Sequence, residues 1–231
     1  MDLIKSYSSF NKVNYLVDGD SSFDLIVEAN SSLKLDLELK EEKEKSIKGK
    51  IHVEKGGVLE IVLVDLTSSS CSVKFDIEAE EGSEANAYFA FLSDKSNQKH
   101  CEVNALIKSK NTSSLIDMEG VIVDSAKMDL LGNTQILKGA INSTVRQQAK
   151  IADLSKNGKG QASPSLLIDE NDVKASHGAV IGRVDDNALF YLMSRGLSKE
   201  EARKLIVSSY LVPVINRLAD KETVQFEKRE F

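Results

Sequence analysis

"GKIHVEKGGVLEIVLVDL", residues 49–66, decides how this chain folds. Alternation puts every second side chain on one face of a strand, and a Gly-Gly pair between two such runs is a turn signal. The stretch therefore reads as two strands joined at Gly56-Gly57.

The same text continues on both sides. "SLKLDLELK" (32–40) alternates strictly, with Leu33, Leu35, Leu37 and Leu39 on one face and charges on the other, as a half-buried strand does. "CSVKFDIEAEEGSEANAYFAFLS" repeats the two-strand pattern with a turn near Gly82-Ser83. "HCEVNALIKS", "SSLIDMEGVIVDS", "KMDLLGN", "TQILKGAINST", "QAKIADLS" and "PSLLIDE" are further strand-sized pieces. Strand text runs from about residue 22 to 180, with centres roughly every 10–15 residues and no helical pattern between them. Parallel strands normally need a long crossover. Two architectures escape that need, an antiparallel sandwich and a β-solenoid whose coils stack. Asp18-Gly19 and Asn157-Gly158 are the only Asn-Gly or Asp-Gly dipeptides, which favours the solenoid, although no fixed-period motif is visible.

The pattern changes at about residue 185. Asp185-Asp186 can cap a helix through "NALFYLMSR", and Gly196 can end it. "SKEE" (198–201) is a capping box, and Ala202, Leu205, Ile206 and Ser209 follow at the spacing of an amphipathic stripe. Pro213 is expected to kink or restart this helix before it ends near Ala219, and the last eleven residues are highly charged. The expected division is a β core over 1–182 and a helical segment over 183–231.

The 231 residues are 41% hydrophobic and 29% charged, with a formal charge of −6, which suits a globular protein and argues against nucleic acid as a partner. "KEEKEKSIKGK" (40–50) alternates in sign like a solvated loop or strand edge. No basic-then-apolar leader opens the chain and no apolar window approaches ~18 residues, so the expected setting is cytoplasmic, with no membrane. Cys71 and Cys101 read as reduced thiols.

P-loop, nucleophile-elbow, zincin and C-x-x-C signatures are all absent, and "NGKGQAS" has a phosphate loop's composition without its spacing. An enzyme is not expected. His100 and Cys101 are adjacent, but neighbours in a strand face opposite ways and do not readily share a metal. His52 reads as an exposed strand residue. His177, in "KASHGAVIG" (174–182), lies among Ser176, Gly178 and Ala179, whose small size leaves room for another backbone or an inorganic cluster. "ALFYLM" holds more apolar residues than one buried face of a short helix needs, so Phe190, Tyr191 and Met193, rimmed by Arg195 and Arg203, are candidates for a partner patch.

"DVKASHGAVIGRVDDNALFYLMSRGLSKEEARKLIVSSYLVPVINRL" resembles the C-terminal signature of the SufB/SufD family, scaffold subunits of iron–sulfur cluster assembly, and SufD most of all. The S-H-G-A and F-Y-L-x-S-R-G elements carry the resemblance. It implies a right-handed parallel β-helix followed by helices, an ABC-type ATPase partner (SufC) held by the helical segment, and a SufB-like second scaffold subunit or a homodimer. His177 matches the histidine that helps hold a nascent, transient cluster at the subunit interface. Imidazole is a workable iron ligand, but clusters are held mainly by thiolates. Ala175 stands where the family often has cysteine, and Ala149 falls at the place of SufB's sulfur-accepting cysteine. Both departures call for a partner that brings thiols. They also leave a relative retired from cluster chemistry as an alternative, beside a β-solenoid carbohydrate-active protein.

Overall fold

The computed structural model describes residues 2–40, 43–184 and 186–220. The expected Asp185 cap, the side chain of Asp186, Glu41 and Glu42 of the charge run, and the last eleven residues fall outside the described set.

The first strands are β1 (Asp2–Tyr7), β2 (Phe10–Val17), β3 (Ser21–Val27), β4 (Ser32–Leu39), β5 (Lys45–Val53), β6 (Val58–Asp65) and β7 (Cys71–Ala79). Then come β8 (Glu84–Ser93), β9 (Gln98–Ile107), β10 (Ser113–Ile122), β11 (Lys127–Ile136), β12 (Ser143–Asp153), β13 (Lys159–Ile168) and β14 (Val173–Arg183). Helices α1 (Asp186–Ser194) and α2 (Lys199–Ile215) follow. Odd-numbered strands form one seven-stranded sheet and even-numbered strands another, each in simple rising order. Every pairing within them is parallel. This is a two-sheet parallel β-solenoid of about six turns.

One device closes every odd-to-even corner except the last, between β13 and β14. Ser9, Asn30, Gly56, Gly82, Asn111 and Asn142 all have positive φ, and each stands between an odd strand and the next even one. Gly and Asn tolerate that left-handed conformation best. From Asn30 on, the N–H of this corner residue donates to a carbonyl of the next coil, as Gly56 does to Glu81 at 2.9 Å. The coils are unequal, however. Asp2 pairs with Ser22, Lys45 with Cys71 and Lys127 with Lys159, so the repeat grows from 20 to 32 residues along the chain.

The strand text extends beyond the expected span at both ends, because β1 and β2 precede residue 22 and β14 reaches Arg183. β11 runs unbroken through Gly132-Asn133, where two pieces were expected. Gly132 is small because the Met118 side chain lies 3.3 Å from where its Cβ would be, not because the chain turns.

Leu33, Leu35, Leu37 and Leu39 fill the interior as expected. Asp36 and Glu38 on the opposite face are buried too, so β4 is not half-buried over its length. The chain after α2 explains this, since the Ala219 N–H donates to Asp36 Oδ2 at 2.7 Å. α2 lies across the outer face of the even sheet, where Val207, Leu211, Val214, Ile215 and Leu218 pack on Val62, Val64, Tyr88, Ala90 and Val121. This corrects the expected stripe, because Leu205 is half exposed and Ser209 faces solvent. The Ser198–Glu201 capping box is formed and Gly196, at φ +98, closes α1. Pro213 lies inside an unbroken α2 that ends at Ile215. Arg217 clamps the far end by stacking on the Tyr88 ring at 3.6 Å and pairing with Glu60 at 3.6 Å.

A polar seam interrupts the apolar interior. Lys45, Cys71 and Lys99 stack in consecutive coils. Lys99 Nζ reaches Asp65 Oδ2 at 2.6 Å with both side chains fully buried, and Asp65 also accepts from Thr67.

Candidate functional site at the open end of the solenoid

His177 is exposed, and the register shows why. Val13, Leu35, Ile61, Ala87, Ile116, Gln147 and His177 occupy one position in successive even strands. The members from Leu35 to Gln147 are buried. His177 has the same parity as Val173 and Ala175, which pack on the core cluster, so it stands on the inner face of the sheet. Among the described residues no coil follows β14. An inward position thereby becomes a surface position. Gln147, one rung below, is held by β11, its amide turned so that it donates to the Gly132 carbonyl at 3.1 Å and accepts from Thr134 N at 3.0 Å.

The surroundings of His177 are small and apolar. Ala175 and Ala179 flank it on the same face, and Ala149 is the rung-mate of Ala179. A side chain at Gly178 would meet nothing within 4 Å. β13 and β14 are the last strands of their sheets, so one edge of each has no strand partner among the described residues. Ile168, Val180 and Ile181, about half exposed, surround those edges together with Leu167. An unpaired edge beside an apolar patch is a surface suited to another polypeptide.

A family model described as SUF system FeS cluster assembly, SufBD core domain, matches residues 1–210. The chain belongs to the SufBD family. The iron-sulfur cluster assembly protein SufD of Bacillus subtilis is 44% identical over 109 residues, which is 47% of this chain and 25% of that protein. The Escherichia coli SufD is 29% identical over 101 residues, 44% of this chain and 24% of that protein. An iron-sulfur cluster assembly SufBD family protein of Mycobacterium leprae is 34% identical over 112 residues, 48% of this chain and 13% of that protein. The matched stretch thus spans at most a quarter of these relatives' length.

Within this SufBD-family chain the thiols lie far from His177 in the fold. Cys71 and Cys101 are free and buried in β7 and β9. Burial and the neighbouring Asp65 push the Cys71 thiol up to about 12, and burial carries Cys101 well above its ordinary value. Protonated and enclosed, neither is a nucleophile or a ready metal ligand. His100 faces outward near Asp129, at 3.9 Å, while Cys101 faces inward, so the two do not share a site. His52 is also on the outer face, near Glu78 and Glu80. Among the described residues no group of three His, Cys, Asp or Glu side chains is arranged to hold a metal ion, and no helix is long and apolar enough to cross a membrane.

Phe190, Tyr191 and Met193 are 73%, 57% and 43% exposed, and Leu205 of α2 is half exposed. The Arg195 guanidinium lies 5.3 Å from the Tyr191 ring centroid. Arg203 is half-buried and its Nε has no hydrogen-bond partner.

One further element near the site has no sequence signature. Glu170 ties the corner residues 138–142 to the turn before β14, accepting from the N–H groups of Gly139 (3.0 Å) and Asn171 (2.8 Å) and pairing with Lys138. These bonds hold its carboxyl down to about 2. Only the register reveals that an acidic residue at this place braces the last coil.

Proposed function

We propose that this chain acts as a SufD-like scaffold in SUF iron–sulfur cluster assembly. His177 stands at an interface where a SufB-like subunit, or a second copy of the chain, contributes thiols to the nascent cluster. The helical segment, 183–231, is the part that a SufC-like ABC ATPase grips, through Phe190, Tyr191, Met193, Arg195 and Arg203, while the β unit over 1–182 carries the histidine. The setting is cytoplasmic.

One observation carries the reading: an inward-facing histidine that burial has released at an unpaired strand edge. A neutral imidazole nitrogen can donate to iron. The chain's own thiols are sealed two or more coils away, so the remaining ligands and the sulfur must come from outside it. Ala149 and Ala175 support a second reading, a relative that keeps the ATPase contact but has left cluster chemistry. Anaerobic reconstitution with a SufB-like subunit, the ATPase and a sulfur donor separates the two. Under the first reading the wild type supports cluster formation, while His177→Ala assembles the complex but yields no cluster. Equal yields from both proteins contradict it.

A further inference from the structure

The last coil ends in two free strand edges, and one of them carries a proline. In β13 the Lys159 N–H donates to the Ala126 carbonyl at 3.0 Å and the Asp169 N–H to the Ile136 carbonyl at 2.9 Å. Odd-numbered residues of β13 therefore turn their backbone groups to β11, while Gly160, Ala162, Pro164, Leu166 and Ile168 turn theirs to the free edge. Pro164 brings no N–H there. Its rung-mates in the three preceding odd strands are Gly132, Val103 and Phe75. The backbone of each faces the strand of the following coil, as the Leu137 bond to Ile107 and the Lys108 bond to Ala79 show for β9 and β7. A proline at this rung thus suits only a strand that no further coil follows. The edge of β14 has no proline.

The opposite end of the solenoid matches in phase. The Tyr7 carbonyl accepts from the Glu28 N–H at 3.0 Å, so Asp2, Ile4 and Ser6 turn their backbone groups away from β3. Leu3 packs on the core cluster and Ile4 is exposed, which puts these three side chains on the outer face. Outer-face residues are also the ones by which β13 bonds to β11. β1 of a second copy therefore meets β13 in the phase in which β13 meets β11. Ile4 at one end and Leu167 and Ile168 at the other add exposed apolar surface. Such a head-to-tail contact does not close on itself and leads to open filaments.

We propose that Pro164 is a stop residue, which prevents a second copy of this chain from stacking through β1 on the free edge of β13. The missing N–H removes a ladder bond in the middle of the strand, and the ring stands where an incoming carbonyl needs a donor. Proline on an edge strand is a known guard against edge-to-edge association. The open end is thereby kept from its own kind and left accessible to a different partner. The proposal holds whatever chemistry takes place at His177.

The test follows particle mass against protein concentration by light scattering, with circular dichroism as the check on folding. The wild type is expected to keep one mass, that of a monomer or a dimer. Pro164→Val, and Pro164→Ala with its smaller side chain, should give a mass that rises with concentration past that of a dimer. Adding Ala162→Pro to Pro164→Val moves the proline to the neighbouring free-edge N–H and should return the mass to that of the wild type. Ile4→Pro added to Pro164→Val should do the same from the other end of the solenoid. The proposal is overturned by a constant mass in the folded Pro164 variants, by open-ended growth of the wild type, or by growth that survives both added prolines.

Discussion

The middle coils and the last coil share one alternation of side chains but not one fate. Ile61 in β6 and His177 in β14 hold equivalent places in the register, yet Ile61 is fully buried and His177 is exposed. The outer faces differ as well. α2 buries Val62, Val64 and Ala90 in the middle, whereas Val180 lies open in β14. In a stacked fold burial is thus supplied by the neighbouring coil and by whatever lies across the sheet, not by the strand's own pattern. A site arises where the pattern continues and the cover stops.

The largest effect is expected in the seam of the middle coils. Lys99→Ala leaves Asp65 charged and buried without its counter-ion, held only by Thr67, which costs about 3–5 kcal/mol, whereas the double replacement of Lys99 and Asp65 by apolar residues of similar volume should restore much of the loss. Urea midpoints of the single and double variants read this directly. Equal destabilisation by both would show that packing, not charge, governs the seam.

Next comes the paired test of equivalent faces. Ile61→Ala should cost about 2–5 kcal/mol through the cavity it leaves. Ile181→Ala, half exposed at the free edge, should stay within about 0.5 kcal/mol in the isolated chain. If the edge variant proved as costly as the core variant, the last coil would be closed and the comparison would fail.

A smaller effect concerns acid. The Glu170 carboxyl is lower in the folded chain than in the unfolded one, so its contribution is present above about 4.5 and fades as pH falls towards about 2. The Gly139 amide resonance should move over that window in the wild type and stay still in Glu170→Gln. A shift persisting in the variant would assign the acid response to another group.

Much of this organisation is legible in the residues themselves. The Gly56-Gly57 turn, the leucines of β4, the capping box and the Gly196 stop all stand where their chemistry predicts. β1 and β2 are harder to see, since "DLIKSY" and "FNKVNYLV" expose most of their side chains and carry little apolar rhythm. The repeat hides because its length drifts, although one left-handed Asn, Gly or Ser marks every coil but the last. The buried face of α2 is set by a sheet up to about 150 residues earlier in the chain, which helical spacing cannot report. Of the candidate site, the S-H-G-A element marks His177 in the sequence. Its release at the open end, with Gln147 beneath it and Glu170 bracing the corner, needed the register.

The most direct measurement is hydrogen exchange of the chain with and without a thiol-bearing SufB-like subunit. Strong protection of residues 173–183 and of β13 is expected on complex formation, with β5 to β9 unchanged. Unaltered exchange in β14 while the subunit binds at β1, β2 or the helices would contradict it.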